Sequence, residues 1–97
     1  MPKPIIRDTK QSASSVSWYS TIDRGNAKWF IVPTVAGFVI VSTWASPNRP
    51  RYDTTELRFI YGGTIHNRFI EGKRYSERYC VTLARRFAAE ISGKEVA

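Results

Sequence analysis

Apolar residues return with the period of a helix near the end of the chain. Cys80, Leu83, Ala84, Phe87, Ala88 and Ile91 fall at i, i+3, i+4, i+7, i+8 and i+11, which lines one stripe of a helix over residues 76–92. Glu77, Arg78, Thr82, Arg85, Arg86 and Glu90 take the opposite side. Ser76 suits the N-cap, where its hydroxyl accepts from an orphaned backbone N–H, and Glu77 sets a carboxylate at the positive end of the helix dipole. Gly93 suits the left-handed residue that closes a helix. Buried apolar surface is worth roughly 25 cal/mol per Å², so the stripe must lie against something.

What lies upstream reads as a sheet. Val16, Trp18 and Ile22 alternate with Ser17, Tyr19 and Thr21, the period of a half-buried strand. Asp23-Arg24-Gly25-Asn26 is turn chemistry, and residues 28–32 resume as a strand that ends at Pro33 or runs along an edge. Residues 35–44 are almost wholly apolar and rich in β-branched side chains, which fits a central strand covered on both faces. Phe38 and Trp44, inside that run, are expected in the core. Residues 45–55, with Pro47, Asn48, Arg49, Pro50, Arg51 and Tyr52, read as a long exposed loop.

Leu57, Phe59 and Tyr61 alternate as in a strand, whereas Asp53 with Glu56 offers a capping box for a short helix. The strand is favoured. A Gly62-Gly63 turn then leads to a further strand over residues 64–70, and residues 71–74 turn the chain into the helix. Residues 1–14 carry Pro2, Pro4, Lys3, Arg7 and Lys10 without periodicity, and are expected to be a flexible basic arm. The expected architecture is α+β: one domain over residues 15–97, an antiparallel sheet of four to five strands, and one C-terminal amphipathic helix packed on one face.

Charge narrows the function. The 97 residues carry 15 Lys and Arg against 8 Asp and Glu, a formal charge of +7. Such a chain is drawn to polyanions: nucleic acid, or an acidic protein surface. No apolar run approaches the about 20 residues that span a bilayer, and no secretory pattern opens the chain, so a cytoplasmic protein without membrane contact is expected.

Enzymatic constellations are sparse. His66 is the only histidine and Cys80 the only cysteine, so neither a histidine nor a cysteine metal cluster can be assembled. The acids are scattered, no phosphate-binding loop is present, and no nucleophile elbow accompanies His66. The expectation is a binding protein, not an enzyme, with no cofactor and with Cys80 as a small buried hydrophobe. Basic and aromatic residues are interleaved instead: Trp18-Tyr19 with Arg24, Lys28-Trp29, Arg49, Arg51-Tyr52 and Lys73-Arg74-Tyr75. Cationic groups neutralise phosphates while aromatic faces stack on bases. Trp18 and Trp29 fit such a platform and a core position equally well. Arg78, Arg85 and Lys94 are spaced to form a basic ridge on the helix.

The run Val16-Ser17-Trp18, a polar turn with Gly25, then Lys28-Trp29 resembles the opening of the AP2-like and phage-integrase arm-binding domains. That resemblance covers about fourteen residues. It implies a three-stranded sheet backed by a helix, with Trp18, Arg24, Lys28 and Trp29 facing duplex DNA. The chain departs from it in an apolar third strand and in two further strands before the helix. The expected nucleic-acid contacts are thus Trp18, Arg24, Lys28, Trp29, Arg49, Arg51, Lys73 and Arg74, with duplex DNA preferred over RNA. The alternative is an inhibitor or adaptor of the phage or mobile-element kind, whose arginines and aromatics anchor it on a host protein.

Overall fold

Alternation of side chains across a strand decides this fold, because both alternate sets of the central strands are buried. A computed structural model of the protein describes residues 4–12, 28–44, 53–73 and 75–93. Among these residues five strands and one helix follow in the order β1 (Ile5–Ser12), β2 (Lys28–Thr34), β3 (Gly37–Trp44), β4 (Thr54–Tyr61), β5 (Thr64–Glu71) and α1 (Glu77–Ser92). They form one antiparallel sheet of order β1-β5-β4-β3-β2. The fold is α+β, with α1 packed against β2, β3 and β4.

Under α1, the register sets Val32 beside Val39 and Phe59, and Phe30 beside Val41 and Leu57. Cys80, Ala84, Phe87 and Ala88 of the helix close over them. Leu83 and Ile91 lie at the margin of that core, half-buried. The helix ends form as the sequence dictates. Ser76 Oγ accepts from the Tyr79 N–H at 3.2 Å, and the Gly93 N–H donates to the Ala89 carbonyl at 2.8 Å.

The β4–β5 turn needs its two glycines. Gly62 and Gly63 stand at φ 59° and 77°, the left-handed pair of a two-residue hairpin that side-chain-bearing residues adopt only with strain. The stretch 56–61, for which a short helix was the alternative, belongs to β4. The apolar run 35–44 is interrupted, because Val35 and Ala36 form the turn between β2 and β3. Pro33 remains inside β2, paired with Phe38. Among the described residues β2 is an edge strand of the sheet, the position where a proline's missing N–H is tolerated.

Two expectations are corrected. The basic arm of residues 1–14 is a strand over Ile5–Ser12, paired with β5 along its full length. As an edge strand exposed on both faces it has no apolar alternation to display, and it is held by ladder bonds and cross-strand charges. Phe38 is not core: it is 65% exposed, because Val39 and Val41 take the helix-facing side and Phe38 falls on the other, beside the β2–β3 turn. Trp44 is only half-buried. The strand expected over residues 16–22 lies outside the described residues.

A charged clamp ties β1 and β5 to the helix. Arg68 donates from Nε and Nη2 to the Asp8 carboxylate at 2.9 and 3.0 Å, and from Nη2 to Glu90 Oε2 at 2.8 Å. Its guanidinium carbon sits 4.8 Å from the centroid of the Phe87 ring, a cation–π contact inside the clamp. These hydrogen bonds hold the Asp8 carboxyl below its ordinary value, partly offset by burial.

Phe87→Ala should cost about 3–5 kcal/mol in urea unfolding, and Leu83→Ala, at the margin, clearly less. Equal losses at both sites would place the stripe wrongly. Because the folded Asp8 pKa is depressed, its contribution is complete above the unfolded value of about 3.9 and is lost as pH falls through the folded value. Asp8→Asn should therefore flatten the loss of stability between about pH 5 and pH 2 relative to wild type. Identical pH profiles would mean that the clamp does not form in solution.

Candidate functional site

Where β2, β3 and β4 run out beneath the first turn of α1, a cleft of about 310 Å³ opens. Its lining grades from floor to rim. Asp53, Thr55 and Cys80 are buried at the bottom; Phe30, Thr43, Trp44, Thr54 and Tyr75 form half-buried walls; Lys28, Lys73 and Glu77 stand exposed at the mouth.

Register and one turn bring these together. Lys28 pairs with Thr43, and Thr43 with Thr55, which makes the three a rung on the helix-facing side of the sheet. After β5 the chain doubles back at Gly72, whose φ of 96° is open to glycine and whose N–H donates to the Asp53 carbonyl at 2.9 Å. Lys73 and Tyr75 thereby return over the end of β4. The Lys73 ammonium lies 5.3 Å from the Tyr75 ring centroid, and the Tyr75 and Tyr79 rings are 5.3 Å apart.

The floor has little nucleophilic chemistry. Burial pushes the Cys80 thiol up, the Glu77 charge adds to this, and a hydrogen bond with Thr55 opposes it. A thiol held protonated is a poor nucleophile. The Tyr75 hydroxyl is also raised, by burial and then by the neighbouring Tyr79 and Cys80. What remains is recognition chemistry: hydroxyls, a buried carboxylate, aromatic walls and two ammonium groups.

Of the residues expected to touch nucleic acid, the structure brings Lys28 and Lys73 to one rim. Trp29 is 48% exposed but falls on the opposite face of the sheet from Lys28, as strand alternation requires. Trp18, Arg24, Arg49, Arg51 and Arg74 lie outside the described residues. Within the helix ridge, Arg78 is exposed and Arg85 half-buried, and Lys94 lies outside the described residues. The described residues hold nine Lys and Arg against six Asp and Glu, so +3 of the chain's +7 is carried by them.

The face away from α1 contains a cluster that sequence reasoning passed over. Glu56, Arg58 and Asn67 are 1%, 2% and 1% exposed. Asn67 Nδ2 donates to Glu56 Oε2 at 2.5 Å, and Arg58 Nη2 lies 3.3 Å from the same oxygen. Glu56 Oε1 and Asn67 Oδ1 are buried acceptors without a hydrogen-bond partner among the described residues. Glu56 and Arg58 alternate with Leu57 and Phe59, a pattern that reads as a solvated face. The contrary signal was the run 35–44, apolar on both faces, which requires its neighbour's second face to be covered too. Nearby, Arg7 lies 4.9 Å from the Phe69 ring centroid and 3.4 Å from Glu71. It shares with Trp44 and Thr54 a wide groove of about 400 Å³.

His66 stands half-buried on β5, its pKa lowered by burial and by Lys10. Among the described residues no three His, Cys, Asp or Glu side chains are grouped to hold a metal ion, and no helix is long and apolar enough to cross a membrane. Comparison with protein-family models, with curated proteins and with solved structures finds no match.

Proposed function

We propose that this chain is a cytoplasmic nucleic-acid-binding protein, with duplex DNA preferred over RNA, and not an enzyme. The observation that carries this reading is the convergence of Lys28 and Lys73, distant in sequence, on one aromatic-walled cleft of a chain with charge +7. Ammonium groups at an exposed rim neutralise phosphates and release their counterions. Arg7, Arg58 and Arg68 are each held against a carboxylate and are less free for that work. Lys28 and Lys73 have no carboxylate within ion-pair distance among the described residues. The basic residues Arg24, Arg49, Arg51 and Arg74 add to the attraction as sequence charges.

A second reading, an adaptor or inhibitor that docks on a protein, is favoured by one feature. Ile31 and Phe38 are 51% and 65% exposed and share the face away from the helix on β2 and β3, β2 being an edge of the sheet among the described residues. Exposed apolar side chains grouped on one face mark contact surfaces.

Fluorescence anisotropy with labelled duplex DNA separates the two. Binding should weaken steeply between about 50 and 200 mM salt, and Lys28→Ala and Lys73→Ala should each lower affinity and reduce the logarithmic salt slope by about 1. Wild-type binding no tighter than about 10⁻⁴ M at the lower salt would contradict the nucleic-acid reading. Capture of one stoichiometric protein partner, insensitive to salt and lost on Phe38→Asp, would then establish the second.

A further inference from the structure

We propose that the cleft beneath the start of α1 seats a single unpaired nucleotide, its base between the aromatic walls and its phosphate on the lysine rim. The inference rests on the nucleic-acid reading and goes beyond it by naming which part of the polymer the site holds.

Size, shape and the order of charges argue for it. A volume of about 310 Å³ is at the small end of ligand pockets and suits one base with its sugar, not a stretch of duplex. The walls offer the rings of Phe30 and Tyr75, flat surfaces on which any base stacks. Below them lie the Asp53 carboxylate and the Thr55 hydroxyl, both buried. Base edges carry amino and ring N–H donors beside their acceptors, so these groups meet a base well. The Asp53 carboxylate would repel a phosphate. The anionic end must therefore stay at the mouth, where Lys28 and Lys73 stand against the one carboxylate of Glu77.

Bases within a duplex have both faces covered by their neighbours, so reaching such a cleft requires unstacking and unpairing. That cost is least for a base already single-stranded. The site accordingly favours strand ends, overhangs and single strands over continuous duplex. Asp53 on the floor and lysines at the rim distinguish this arrangement from a merely basic surface, which would hold backbone phosphates without discriminating paired from unpaired bases.

The test compares three labelled DNAs by anisotropy: a blunt duplex, the same duplex with a short single-stranded overhang, and a longer blunt duplex matched to the second in phosphate number. The overhang should bind roughly tenfold tighter than either blunt duplex, within the range that stacking one base on an aromatic side chain supplies. Thr43→Phe, which fills the cleft from its wall without removing a lysine, should abolish that preference. Tyr75→Leu, which removes a stacking face, should reduce the preference and serves if the first variant fails to fold. Equal affinity for the overhang and the matched blunt duplex overturns the nucleotide site, as does a preference that survives both variants. In either case salt-dependent binding to blunt duplex would leave the nucleic-acid reading standing. Absence of binding to all three DNAs overturns both.

Discussion

Burial of both faces of the β3–β4 pair is the constraint on which the rest of the molecule depends. On one side Val39, Val41, Leu57 and Phe59 are covered by Phe87, Ala84 and Cys80 of the helix. On the other, Ile40, Ser42, Glu56 and Arg58 are buried as well. A strand pair sealed on both sides has its register set twice over, since a slip by one residue would exchange every side chain between two different environments. The helix position follows from that register. The cleft follows from the helix position, because the first turn of α1 overhangs the ends of the same strands.

The two faces are stabilised by different physics. The helix-facing side is an apolar core in which small residues, Ala84, Ala88 and Cys80, let the helix approach while Phe87 fills the space between strands. The opposite side contains a charged pair and an amide, with one Glu56 carboxylate oxygen and the Asn67 carbonyl oxygen unsatisfied among the described residues. A buried ion pair seldom adds much stability against an apolar alternative, yet losing one member leaves a costly lone charge. Removing Glu56 or Arg58 alone would leave such a charge buried between β4 and β5. The Asp8–Arg68–Glu90 clamp works at the periphery, where solvent screens it, and its role is to hold the exposed strand β1 and the far end of the helix to one guanidinium.

How much of this was legible in the sequence follows from the same physics. The helix could be read almost residue by residue, because a stripe of period 3.6 with a serine at one end and a glycine at the other admits few alternatives. The strands over 28–32, 56–61 and 64–70 were visible through alternation and the paired glycines, and each extends one or two residues further in β2, β4 and β5, Thr54 and Thr55 belonging to β4 and not to the expected loop. Ile5–Ser12 was not, since an edge strand open on both faces shows no periodicity and its ladder bonds leave no mark in composition. Phe38 misled for the converse reason: a continuous apolar run does not reveal which alternate set faces the core, nor that Val35 and Ala36 turn the chain. For the site, residue type pointed to Lys28 and Lys73, whereas Asp53, Thr55 and Cys80 came from elsewhere in the chain. Their convergence depends on strand register and on the turn at Gly72, neither of which a local pattern contains.

The central claim is that the recognition surface is the cleft under the helix start and not the exposed face of β1 and β5 or the apolar corner at Phe38. Amide chemical-shift mapping by NMR, with a short single-stranded DNA titrated into the labelled protein, tests it most directly. The account predicts that the largest shifts fall on Lys28, Thr43, Thr55, Lys73 and Tyr75, while Lys10, His66 and Phe38 barely move. Shifts concentrated on β1 and β5 or around Phe38, with the cleft residues unmoved, would contradict it.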